Sequence, residues 1–199
     1  MKNYAITKHE REILHMNDKM YESLLRLFGN RELVSIYDDP DNTENFSCGF
    51  ISAINEEDVV IQHINPNGHY DGFILKKTSG IFQIGYQGLY QVKISKLNNI
   101  QAKKHSEIQL NDDLKLSLLK YAKLNNFVVS LELNESGVMD IQGFVSELDE
   151  DNIVVNLLTE YGISDGISST DIKCLSRIDC DTEQEQMLKL LADMQRPSN

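Results

Sequence analysis

Apolar positions along the chain keep two different rhythms. Between Lys8 and Phe28 the residues Ile13, Met16, Met20, Leu24 and Leu27 recur at helical spacing, flanked by Leu14, Tyr21, Leu25 and Phe28. That pattern predicts one amphipathic helix, with Gly29-Asn30 as its stop signal. The rhythm then shortens to brief apolar, β-branched and aromatic runs: Leu33 to Tyr37, Phe46 to Ile54, Asp58 to Ile64, Asp71 to Leu75 and Ile81 to Tyr86. Five strands are predicted, separated by turn-forming stretches: the polar DDPDNTEN loop, Asn55 to Asp58, the NPNG turn Asn65 to Gly68, and Lys76 to Gly80. Tyr90, Ile94 and Leu97 return to helical spacing. A second helix therefore follows the strands.

The same order is then repeated. Displaced by ninety-four positions, GFISAINEEDVVIQHINPNGHYDGF lies without a gap on GFVSELDEDNIVVNLLTEYGISDGI. Identical pairs include Gly49/Gly143, Gly68/Gly162, Asp71/Asp165 and Gly72/Gly166, and the apolar character between them is kept. Glycines recurring at one offset mark turns, bulges or close backbone approaches. Asn111 to Leu124 repeats the opening helix, with Ser117-Leu118-Leu119-Lys120 answering Ser23-Leu24-Leu25-Arg26, and Phe127 to Leu133 repeats the first strand. Asp181 or Thr182 caps a closing helix striped by Met187, Leu190, Leu191 and Met194. The chain reads as an internal duplication: one helix-plus-strands unit over residues 1–99, a second over 100–199, a polar linker between them and a loose tail from Arg196. Units of this size bury only about two thirds of their unfolded surface, so the halves are expected to lean on each other.

Composition narrows the partners. The net charge is −12 and uneven: residues 1–99 carry ten Lys/Arg against thirteen Asp/Glu, and residues 100–199 carry nine against eighteen. An acidic surface disfavours nonspecific binding to phosphate backbones or anionic membranes. Cys48, Cys174 and Cys180 are too few and too irregular for a disulfide framework or a CxxC metal site, which suits reduced thiols in a cytoplasmic protein. No leader-like apolar core opens the sequence and no run approaches a membrane span.

Candidate chemistry is sparse. His63 and His69 flank the NPNG turn beside Asp71, but their counterparts are Leu157 and Ile163, so a metal site there is outweighed by a solvated loop; His9, His15 and His105 are scattered. Cys48 and Ser47 have no histidine at a spacing that suggests a nucleophile and base. Nucleotide loops, HExxH and calcium-loop spacings are absent, and the acidic stretches Asn55 to Asp58 and Asp149 to Asn152 read as solvated hairpin turns. Asp71-Gly72 and Asp165-Gly166 fit side chains that cap their own turn. No catalytic residue, metal or cofactor is expected, and the chain reads as non-enzymatic.

A helix entering five short, strongly bent antiparallel strands resembles the small barrels of the Sm-like (Sm, Lsm, Hfq) and SH3-like families. The residues that carry the likeness are Gly49-Phe50-Ile51 through Asp58-Val59-Val60-Ile61, with Ile81-Phe82-Gln83-Ile84 and Leu175-Ser176-Arg177-Ile178 as last strands. The resemblance implies a mainly β, α+β fold: a tandem pair of helix-plus-barrel units. It also implies an RNA-contacting loop at Lys76 and Lys77, with Lys93, Lys96, Lys103 and Lys104 nearby in sequence and Phe73, Phe82 or Tyr86 as stacking platforms. The second copy replaces that loop with Ser168-Ser169-Thr170-Asp171, and the family's nucleotide-gripping Asp/Asn and Arg-Gly signatures are not evident. The leading expectation is a non-enzymatic protein-interaction or regulatory module that binds a protein partner or itself, with RNA or single-stranded nucleic-acid binding through the first unit as the alternative.

Overall fold

The computed structural model describes residues 8–101 and 108–195, with side chains from residue 19 onward. The expected positions Ile13, Leu14, Met16, His9, His15, Lys103, Lys104, His105 and the tail from Arg196 lie outside those described side chains. Helix α1 (Lys8–Gly29) leads into β1 (Leu33–Tyr37), β2 (Ser47–Ile54), β3 (Asp58–Ile64), β4 (Tyr70–Lys77) and β5 (Gln83–Tyr86), then α2 (Leu89–Asn99). The second round is α3 (Leu114–Leu124), β6 (Val128–Leu133), β7 (Ile141–Leu148), β8 (Asn152–Leu158), β9 (Ser164–Asp171), β10 (Leu175–Cys180) and α4 (Glu183–Gln195).

The strands form one ten-stranded sheet in the order β5-β1-β2-β3-β4-β10-β6-β7-β8-β9. Neighbouring strands are antiparallel throughout. The protein is thus a mixed α+β chain built on an open antiparallel sheet. Both halves use the same internal order, and β4–β10 pairing joins them: Lys76 faces Arg177, Leu75 faces Ile178, Ile74 faces Asp179 and Phe73 faces Cys180. Register shifts recur at the same places, between Ile51/Ala53 and Val145/Glu147 on the second strands and between Gln62/Ile64 and Asn156/Leu158 on the third.

Local chemistry explains the recurrences. A Cβ on Gly49 would lie 2.1 Å from the Gln62 carbonyl oxygen, and one on Gly143 would lie 2.0 Å from that of Asn156. Only glycine allows the second and third strands to cross so closely. Asn55 Oδ1 accepts the N–H groups of Glu57 and Asp58, as Asp149 Oδ1 accepts those of Asp151 and Asn152, closing both acidic hairpins. The left-handed residue ending the opening helix is Arg31 (φ 52°) rather than Gly29, and Asn126 (φ 52°) repeats it. The Glu32 N–H reaches back to the Leu27 carbonyl, and that closure needs a left-handed residue in between.

Three apolar clusters hold the chain together. Leu24 and Leu27 of α1 pack with Val34, Ile36, Val59 and Ile61; α2 seats Ile94 against Leu33, Cys48 and Ile64. The largest cluster crosses the halves, joining Val60, Phe73 and Leu75 to Leu118, Leu119 and Ile178. Lys115 of α3 also pairs with Asp58 of β3 at 3.4 Å. The halves do lean on each other, through sheet, core and charge.

Candidate interaction site

The junction between β4 and β10 sets the geometry from which the rest is measured. Asp71 Oδ1 accepts the Glu183 N–H, the first of α4, at 2.6 Å, and its Oδ2 lies 3.0 Å from His63 Nδ1. Asp71 therefore caps a helix of the other half. Gly72 (φ +69°) lets the two backbones meet: a Cβ there would sit 2.4 Å from atoms of Cys180, Asp181 and Thr182. Behind the cap, Glu185 is buried, accepting from the Thr182 N–H and hydroxyl and from the Ser130 hydroxyl. Burial, with Asp179 nearby, pushes its carboxyl above the usual range.

The two buried thiols are not poised for chemistry. Burial pushes Cys48 up to about 11, and Cys180 is raised by burial and by neighbouring carboxylates. Thiols held protonated are poor nucleophiles. Beside α4 an open cleft of about 510 Å³ is lined by Asp71, Gln142, Glu160, Glu183, Met187 and Leu191. No group of three or more His, Cys, Asp or Glu side chains suited to a metal occurs among the described residues.

The residues expected to meet RNA are dispersed. Lys76 and Lys77 are the last residues of β4, not a loop, because they pair with Val59 and Asp58 of β3. Lys76 is only 3% exposed and bonds Asp38 Oδ1 at 2.5 Å; burial, then Arg177, lowers its pKa. Lys77 Nζ pairs with Glu135 of the second half at 3.0 Å. Phe73 is core, whereas Phe82 and Tyr86 are exposed at the β5 edge, 40% and 42% respectively. Phe82 leans on Tyr37 with ring centroids 6.4 Å apart, and the Arg26 guanidinium sits 5.2 Å from the Tyr86 ring centre. His69 is exposed and stays apart from the His63–Asp71 pair.

The sequence reading looks to an exposed barrel edge or a groove between the units for binding, but does not say which strands form the sheet edges. Among the described residues β5 and β9 each have one strand neighbour, so each leaves one side of its backbone without a strand partner there. Apolar side chains collect there: Ile163, Ile167 and Tyr161 at or beside β9, and Phe82, Tyr86 and Leu89 at or beside β5. One signal was legible: β4 reads YDGFILKK while its counterpart reads SDGISSTD, the dilution of apolar residues that separates a central strand from an edge. Compared with protein-family models, curated proteins and solved structures, the chain matches none.

Proposed function

We propose that the chain is a non-enzymatic protein-interaction module made of two small barrels of the Sm/SH3-like kind, joined edge to edge, and that its free sheet edges are the binding surfaces. The barrel reading is supported by the duplicated strand order, the duplicated register shifts and the glycine crossings at Gly49 and Gly143. The observation that carries the function is the exposed apolar side chains along two unpaired strand edges. Unpaired N–H and C=O groups recruit a further strand, and alternate side chains give it specificity. A cytoplasmic setting suits the three free cysteines; no helix among the described residues is long and apolar enough to cross a membrane.

The test is recovery of the tagged chain from its own cells, beside variants carrying Ile167→Lys or Tyr86→Lys. Retained proteins, further copies of the chain included, are identified by mass spectrometry. Retention that either edge variant abolishes is the expected result. Retention of nothing, or retention indifferent to both variants, overturns the reading. The exposed Phe82 and the Arg26-covered Tyr86 favour one competitor, single-stranded RNA stacking on the less acidic half. Salt-sensitive binding of a labelled mixed-sequence RNA that weakens with Lys77→Glu would put that competitor first.

A further inference from the structure

Three glycine pairs recur in the two halves, and two of them sit in matching surroundings. Gly49 and Gly143 face the carbonyls of Gln62 and Asn156; Gly68 and Gly162, both at positive φ, face Leu97 of α2 and Leu191 of α4. The third pair differs. Gly72 is pressed against Cys180 to Thr182, while Gly166 (φ +95°) has nothing within 4 Å of where a Cβ would lie. Its backbone keeps a left-handed conformation beside open space. Asp165, the counterpart of Asp71, is exposed, and its side chain makes no hydrogen bond or ion pair with a described residue.

The surface that would receive them is also present. Moved by the repeat distance, Asp181, Thr182 and Glu183 become Gln87, Gly88 and Leu89. Gln87 has the same left-handed backbone as Asp181, φ 57° against 58°. Gln91 Oε1 accepts the Gly88 N–H and its Nε2 donates to Ser35, just as Glu185 joins Thr182 to Ser130. Yet α2 has no side-chain cap at Gly88, and Leu89 is 91% exposed. At the junction that place is filled by Asp71.

Resting on the edge-binding reading, the geometry points to a second copy of this chain as the partner: β9 of one copy pairs with β5 of the next, and Asp165 caps α2 by accepting the Leu89 N–H. Transferring the β4–β10 register gives Thr170 opposite Gln83, Ser169 opposite Ile84, Ser168 opposite Gly85 and Ile167 opposite Tyr86. The last pair compensates in size. At the junction Phe73 meets Cys180; across copies the bulky ring is on the other strand, Tyr86 meeting Ile167. An aromatic residue facing a β-branched one is a stabilising cross-strand pair. The contact is heterologous, head to tail, so it repeats from copy to copy.

Sedimentation of the purified full chain over a concentration series tests this, with two variants that act on opposite edges. Leu89→Pro removes the N–H assigned to Asp165 at the first helical position, where proline fits and follows the extended Gly88 (φ −80°, ψ 170°). Ile167→Lys places a charge on β9. Wild type is expected to assemble, each variant alone to run as a monomer with wild-type circular dichroism, and Leu89→Ala, which keeps the N–H, to assemble. An equal mixture of the two variants should form dimers and stop there, because each retains one good edge. Wild type that stays monomeric overturns the inference, while edge-dependent retention of another protein from cells would still leave the edge reading standing. Assembly untouched by both variants, or a mixture that stays monomeric, also overturns it.

Discussion

Asp71 of β4 holds the first N–H of α4 at Glu183, a bond between residues on opposite halves of a duplicated chain. Removing it tests how strongly the junction ties the halves. Asp71→Ala takes away a helix cap and the partner of His63, and should lower unfolding free energy by roughly 1–2 kcal/mol, the usual cost of a lost cap. Urea denaturation followed by circular dichroism reads this directly. Asp71→Asn, which keeps an acceptor, should cost less.

Gly72 and Gly166 make a controlled pair. Alanine at Gly72 would place a methyl 2.4 Å from the Cys180–Thr182 backbone at φ +69°, so part of the β4–β10 ladder must open. Alanine at Gly166 meets open space and carries only the left-handed strain of about 1–2 kcal/mol. Thermal melts at low protein concentration should show the first substitution clearly the more damaging. Equal losses would mean that the junction contact contributes little.

Glu185 makes stability depend on pH. Burial raises its folded carboxyl above the ordinary range, so the folded chain holds a proton that the unfolded chain releases. That advantage is present below the ordinary Glu range and is lost as pH rises through the raised folded value. Glu185→Gln should therefore be more stable than wild type at neutral pH by about 1 kcal/mol, with the difference fading in acid. Gln91 already fills the equivalent place in the first half, bonded to Ser35 at 2.7 Å. Denaturant midpoints across pH 4 to 8 check both sign and window.

Lys76 separates packing from surface charge. Because its ammonium is buried against Asp38, Lys76→Glu sets carboxylates together near Asp38 and Asp179 and should cost about 3–5 kcal/mol. Lys76→Met, which keeps the buried chain length, should be far milder. Lys77→Glu, at a partly exposed pair with Glu135, should change stability by less than about 1 kcal/mol. A loss of RNA binding with Lys76→Glu would thus report unfolding, whereas Lys77→Glu is informative.

The sequence by itself determined the elements and their duplication. Helical spacing placed α1 and α2, β-branched runs placed the strands, and the recurring Gly49/Gly143 marked a backbone crossing; these are local signals of period and conformational freedom. The acidic hairpins Asn55 to Asp58 and Asp149 to Asn152 were legible for the same reason, each closed by its own first side chain. Lys76 and Lys77 were misplaced in a loop because two adjacent lysines read as solvent-facing, and only pairing with β3 and the Asp38 carboxylate made one of them interior. Asp71 and Asp165 both precede a glycine at the start of a strand, and that Asp-Gly pair alone does not tell a capping carboxylate from an exposed one; only the apolar run after Gly72, diluted after Gly166, hinted at the difference. Which of the two meets a helix was decided by β4 pairing with β10 while β9 kept an open edge, a relation between residues more than a hundred positions apart.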